Sequence, residues 1–85
     1  MPEIDIYTQP YCPYCARAMA LLDQKGLAFN EISAPRGSDA REEAIRRSDG
    51  RTTVPQIFIN GHHVGGCDDL LALDHNGGLD KLLVS

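Results

Sequence analysis

Cys12 and Cys15, set three residues apart in Cys12-Pro13-Tyr14-Cys15, are the side chains of this chain best suited to chemistry. A thiolate attacks a disulfide sulfur, and a second thiol close by resolves the mixed disulfide that results, so a pair at this spacing suits thiol–disulfide exchange. The same spacing suits half of a tetrahedral zinc site. Zinc needs two further ligands, here Cys67 with His62 or His63, which would have to converge from the other end of the chain, and no second C-x-x-C exists.

Position separates the two sulfurs. Pro13 stands where a first helical residue would, and Cys15, Ala18, Met19 and Leu22 recur at helical spacing until Gly26 offers a C-terminal cap. Cys12 is then the N-cap, facing unsatisfied N–H groups and the positive end of the helix dipole, both of which favour a thiolate. Cys15 lies a turn further on, deeper and with less help from the helix end. Cys12 is expected to be the nucleophile and Cys15 its resolving partner.

The surrounding elements must hold that helix start in place. Ile4, Ile6 and Tyr7 read as a short strand closed by Gln9-Pro10, which delivers Cys12 to its end. Leu27 to Ile32 reads as a second strand, with Leu27, Phe29 and Ile32 inward. Asp39 and Glu42 have capping-box spacing for a second helix reaching about Asp49-Gly50, and its apolar face is thin. Gln56-Ile57-Phe58-Ile59 and His62 to Val64 flank Asn60-Gly61, a type I′ hairpin signal. Asp68 and Asp69 start a helix that Gly77-Gly78 stops before a last one over Leu79 to Val84. The order β-α-β-α-β-β-α implies an α/β thioredoxin-like fold with a four-stranded mixed sheet covered on both faces.

The 85 residues allow a single domain, 1–85, with one modest core. A hydrophobic fraction of 42% and a charged fraction of 24% are those of a folded globular chain. A net charge of −4 without a basic stripe argues against nucleic acid, and no apolar run is long enough for a membrane span. The Met1-Pro2-Glu3 start has neither the basic nor the apolar region of a signal peptide, so a cytoplasmic location is expected, where a close cysteine pair is catalytic or metal-binding rather than structural.

Cys12-Pro13-Tyr14-Cys15, Thr53-Val54-Pro55 with Gln56-Ile57-Phe58-Ile59 after it, and Gly65-Gly66-Cys67-Asp68-Asp69 together resemble the three signature segments of the dithiol glutaredoxins of the bacterial Cys-Pro-Tyr-Cys type, over nearly the whole chain. The resemblance implies a glutathione-disulfide oxidoreductase reducing protein disulfides and protein–glutathione mixed disulfides, with glutathione as co-substrate and no metal. It implies a cis Pro55 that turns the Val54 backbone toward glutathione, with Thr53 beside it. Tyr14 would pack along the bound peptide. Gly66 would permit close approach, while the amides of Cys67 and Asp68 would take the γ-glutamyl carboxylate and the Asp68 carboxylate the ammonium. Without the resemblance, Asp68 and Asp69 read as ordinary first-turn acids.

Gln9 departs from the pattern, for the family places a lysine there that favours the thiolate and meets the glycyl carboxylate. A neutral amide gives the thiolate less support than an ammonium. Arg41, at the start of the second helix, is the expected substitute, with Glu42 competing for the position. Implied partners are glutathione and disulfide-bonded or glutathionylated proteins, ribonucleotide reductase among them, for a monomer. Two rival readings are a [2Fe-2S] carrier, disfavoured by Pro13-Tyr14-Cys15, and a redoxin reduced by thioredoxin reductase, disfavoured by Gly66, Cys67 and Asp68.

Overall fold

A computed structural model describes residues 2–84. Both end positions of the expected 1–85 domain, Met1 and Ser85, lie outside the described residues. The elements are β1 (Ile4–Thr8), α1 (Pro13–Gln24), β2 (Asn30–Ser33), α2 (Asp39–Arg47), β3 (Gln56–Ile59), β4 (His62–Gly65), α3 (Cys67–His75) and α4 (Gly78–Leu83). The sheet order is β2-β1-β3-β4, with β1 parallel to β2 and antiparallel to β3, and β3 antiparallel to β4. This is the mixed four-stranded sheet expected from the order of elements.

Alternation along β1 and β3 divides the interior into two layers. Ile4, Ile6, Ile57 and Ile59 face one way and are buried against Ala18 and Leu22 of α1, Cys67 and Leu70 of α3, and Leu79 of α4. Tyr7 and Phe58 face the other way, against Ala44 of α2 and Ala34. The thin apolar face of α2 is made good by polar and aromatic contacts. Glu43 accepts a hydrogen bond from the Tyr7 hydroxyl, and Arg47 reaches the Tyr7 hydroxyl at 2.8 Å and Asp5 at 3.3 Å. The Arg47 guanidinium also stacks 4.0 Å above the Phe58 ring, a cation–π contact.

Two boundaries differ from expectation. The second strand begins at Asn30, not Leu27, because Leu27 and Phe29 drop into the α1–α3 layer while Ile32 faces the α2 layer. The N-cap of α2 is Ser38, not Asp39: the Ser38 hydroxyl accepts the Arg41 N–H at 3.1 Å, and Asp39 is the first helical residue. Such a cap contributes about 1 kcal/mol. The hairpin matches its signal, with φ of 52° at Asn60 and 80° at Gly61, both positive as a type I′ turn requires.

Candidate active site

β1 ends at Thr8, and Gln9, Pro10 and Tyr11 carry the chain over the sheet edge to Cys12, the N-cap of α1. The Cys12 sulfur accepts the Cys15 backbone N–H at 3.2 Å, so it lies over the donors of the first helical turn. It also lies 3.9 Å from the carbonyl oxygen of Val54, which precedes a cis Val54–Pro55 bond. Cys12 is partly exposed whereas Cys15 is buried, and both are free thiols.

Burial pushes the Cys15 thiol up to about 12, with the Cys12 sulfur adding to the rise through its hydrogen bond and charge. Burial also raises the thiol of Cys67. Iodoacetamide at pH 8 is therefore expected to modify Cys12 in the folded chain and spare Cys15 and Cys67, read by peptide mass mapping, with all three reacting once the chain is denatured. A Cys15 labelling rate within about tenfold of that of Cys12 would contradict this protection.

Beside Cys12 opens a cleft of about 240 Å³ between the Thr53–Pro55 segment and the start of α3, with Tyr14 at its edge. Gly66, the N-cap of α3, brings no side chain into it, and Cys67 and Asp68 follow in the first turn. Asp69 is committed locally. Its carboxylate accepts the Gly66 N–H at 2.9 Å and pairs with Arg51 at 3.3 Å, and the Gly66 bond, followed by Arg51, lowers its pKa below the ordinary carboxylate value. A Cβ on Gly65, where φ is +120°, would run into that carboxylate, which is why this corner needs glycine. The Asp68 carboxylate has no hydrogen-bond partner among the described residues, leaving it available to a ligand.

Seven of the residues singled out from the sequence, Tyr14, Thr53, Val54, Pro55, Gly66, Cys67 and Asp68, come together around this cleft, with Cys12 beside it. Gln9 does not line it and sits on the other flank of Cys12. Arg41 does not line it either. Its side chain is only 6% exposed, and its guanidinium donates to Gln9 Oε1 at 2.9 Å, Ala34 O at 2.9 Å and Thr52 O at 2.8 Å. Arg41 thus ties the segment before the nucleophile to the segment before Thr53.

The cation at the cleft is Arg51, which the sequence reading passed over although it stands two residues before Thr53. Gln56 was likewise read only as strand. It is fully buried, and its amide donates to Thr53 O at 3.0 Å while its oxygen faces His63 Nε2 at 2.7 Å. His63 is half-buried and tilted against Phe58. Gln56 and His63 support the Thr53 wall from behind.

The arrangement of a half-exposed sulfur on a helix start, a buried thiol one turn below and an adjoining peptide-sized cleft can exchange disulfides with a thiol peptide. The family model for glutaredoxin matches residues 4–64. Glutaredoxin 3 of Escherichia coli strain K12 is 59% identical over 83 residues, spanning 98% of this chain and 99% of that protein. The solution structure of a Brucella melitensis glutaredoxin is 58% identical, with a TM-score of 0.82 over 95% of this chain and 87% of that one. The crystal structure of a buckwheat glutaredoxin–glutathione complex is 35% identical, with a TM-score of 0.83 over 95% of this chain and 76% of that one.

Proposed function

Since the chain belongs to the glutaredoxin family, a family of glutathione-dependent thiol–disulfide oxidoreductases, we propose how its own residues divide that work. Glutathione is the co-substrate. The Cys12 thiolate attacks the glutathione sulfur of a protein–glutathione mixed disulfide; the Cys12–glutathione bond forms, the mixed disulfide breaks, and the protein thiolate leaves and takes a proton from water. A second glutathione thiolate then attacks the glutathione held on Cys12, releasing glutathione disulfide and restoring Cys12. For a protein disulfide, Cys12 attacks first and Cys15 displaces the protein, leaving a Cys12–Cys15 disulfide that two glutathiones reduce in turn.

The observation that supports this division most is the Cys12 sulfur on the N-terminus of α1, 3.2 Å from the Cys15 N–H and 3.9 Å from the Val54 carbonyl oxygen. Glutathione lies in the adjoining cleft, its backbone along Thr53, Val54 and Pro55, its sulfur toward Cys12 and its γ-glutamyl end at Gly66, Cys67 and Asp68, with Tyr14 alongside. The first-turn amides of α3 suit a carboxylate and the unpartnered Asp68 suits an ammonium. Gln9 offers an amide beside the nucleophile, and Arg41 acts on glutathione through Gln9 and Thr52, which it holds. Residues 1–85 act as one domain and as a monomer in the cytoplasm, on disulfide-bonded and glutathionylated proteins that include ribonucleotide reductase. No helix among the described residues is long and apolar enough to cross a membrane.

NADPH consumption tests the reading, with a glutathione mixed disulfide as substrate and either glutathione plus glutathione reductase or thioredoxin reductase alone as the reducing system. Turnover is expected only with the first. Turnover confined to the second would remove glutathione from the cleft and move the chain to redoxins served by thioredoxin reductase.

A further inference from the structure

Immediately before the nucleophile, Tyr11 stands wholly in solvent at 103% relative exposure, with a φ of 61°. A left-handed backbone at a bulky aromatic residue costs on the order of 1 kcal/mol, and strain of this kind persists where the surroundings or the function require it. The ring stands out in solvent at the residue next to Cys12. Next to the ring is a depression of about 460 Å³ whose walls include Pro10, Pro13, Ala16, Met19 and Glu31. It shares no lining residue with the Tyr14–Asp68 cleft: Cys12 lines this depression, and its sulfur lies 3.9 Å from the Val54 carbonyl oxygen on the wall of the other. Its one charged side chain, Glu31, is already held by the Thr8 hydroxyl at 3.0 Å.

Disulfide exchange sets three sulfurs in a row: the attacking thiolate, the sulfur it attacks and the sulfur that leaves. With glutathione along the Val54 wall, the polypeptide attached to the leaving sulfur has the other flank left to it. We infer that the Tyr11 flank receives the protein half of a glutathionylated substrate, as an extended segment with an apolar side chain next to its modified cysteine. The inference rests on the reading above, in which glutathione fills the Tyr14–Asp68 cleft. The chemistry of the flank sets the preference: an aromatic ring, two prolines and a methionine gain by covering apolar surface, whereas an acidic neighbour would meet Glu31. The exchange itself is unchanged, with the Cys12–glutathione bond forming as the substrate disulfide breaks and the substrate leaving as a thiolate.

The experiment compares kcat/KM for two glutathionylated peptides, one with phenylalanine and one with glycine on each side of the cysteine, and for cysteine–glutathione disulfide, which has no polypeptide. Wild type is expected to favour the phenylalanine peptide by about five- to tenfold, the scale of one aromatic contact. Tyr11→Ala is expected to erase that preference while turning over cysteine–glutathione disulfide within about twofold of wild type, and Tyr11→Phe to keep both properties. No preference in wild type, or the same preference in Tyr11→Ala, would overturn the inference. Failure of wild type to turn over cysteine–glutathione disulfide would instead strike the glutathione reading beneath it, so the two failures are distinguishable.

Discussion

Cys12→Ser is expected to abolish turnover of every disulfide substrate, by on the order of 10³-fold or more, because a serine hydroxyl at neutral pH supplies almost no anion and forms no stable bond to sulfur. The fold should survive, since Cys12 is partly exposed and a serine hydroxyl can accept the Cys15 N–H as an N-cap. Cys15→Ser should divide the two routes. Reduction of a protein–glutathione mixed disulfide needs no second thiol of the enzyme and should stay within the same order of magnitude. Reduction of a protein disulfide should collapse, with the enzyme trapped as a covalent adduct visible on a non-reducing gel. Equal loss of both routes in Cys15→Ser would mean that this buried sulfur holds the α1 start together rather than resolving intermediates.

Arg41→Ala should be the most damaging change outside the cysteines. It leaves Ala34 O, Thr52 O and Gln9 Oε1 without their shared donor. Hydrogen bonds to a charged donor contribute more than neutral ones, so a loss of about 2–4 kcal/mol in urea unfolding is expected. The same change should raise KM for a glutathione mixed disulfide more than it lowers kcat, since it frees both the Gln9 and the Thr52 segments while the Cys12 helix start is untouched. Arg41→Lys, which keeps the charge but cannot reach three acceptors in one plane, should recover part of the stability and little of the KM. Unchanged unfolding with a raised KM would show that Arg41 leaves its buried position and meets glutathione directly.

Local signals in the chain were strong wherever backbone geometry demands a particular residue. Proline at the first helical position, cysteine before it, glycine at 26 and Asn60-Gly61 announced α1 and the hairpin, and the observed caps and φ angles agree. Ser38 and Asp39 both cap well, so only the fold decides between them. The start of β2 escaped because Leu27 and Phe29 are apolar in a loop as they would be in a strand. At the site, the sulfurs and the glycine-rich corner could be read because their function depends on local backbone. Arg41 proved a buried strut and Arg51, unremarked in the sequence, the cleft cation, because a side chain's surroundings depend on which distant segments close over it. Gln56 and His63 were hidden for the same reason, being joined across the β3–β4 hairpin.

The pairing of the two active-site sulfurs also orders events in time. While Cys12 is free, burial, the hydrogen bond that Cys15 donates to the other sulfur and that sulfur's charge together hold Cys15 as a thiol. Once Cys12 has captured a substrate as a disulfide, its charge is gone and it no longer engages Cys15 as before, so burial and the weaker influence of Glu31 are left to restrain the second sulfur. The resolving thiol is thus released by the very reaction it must follow.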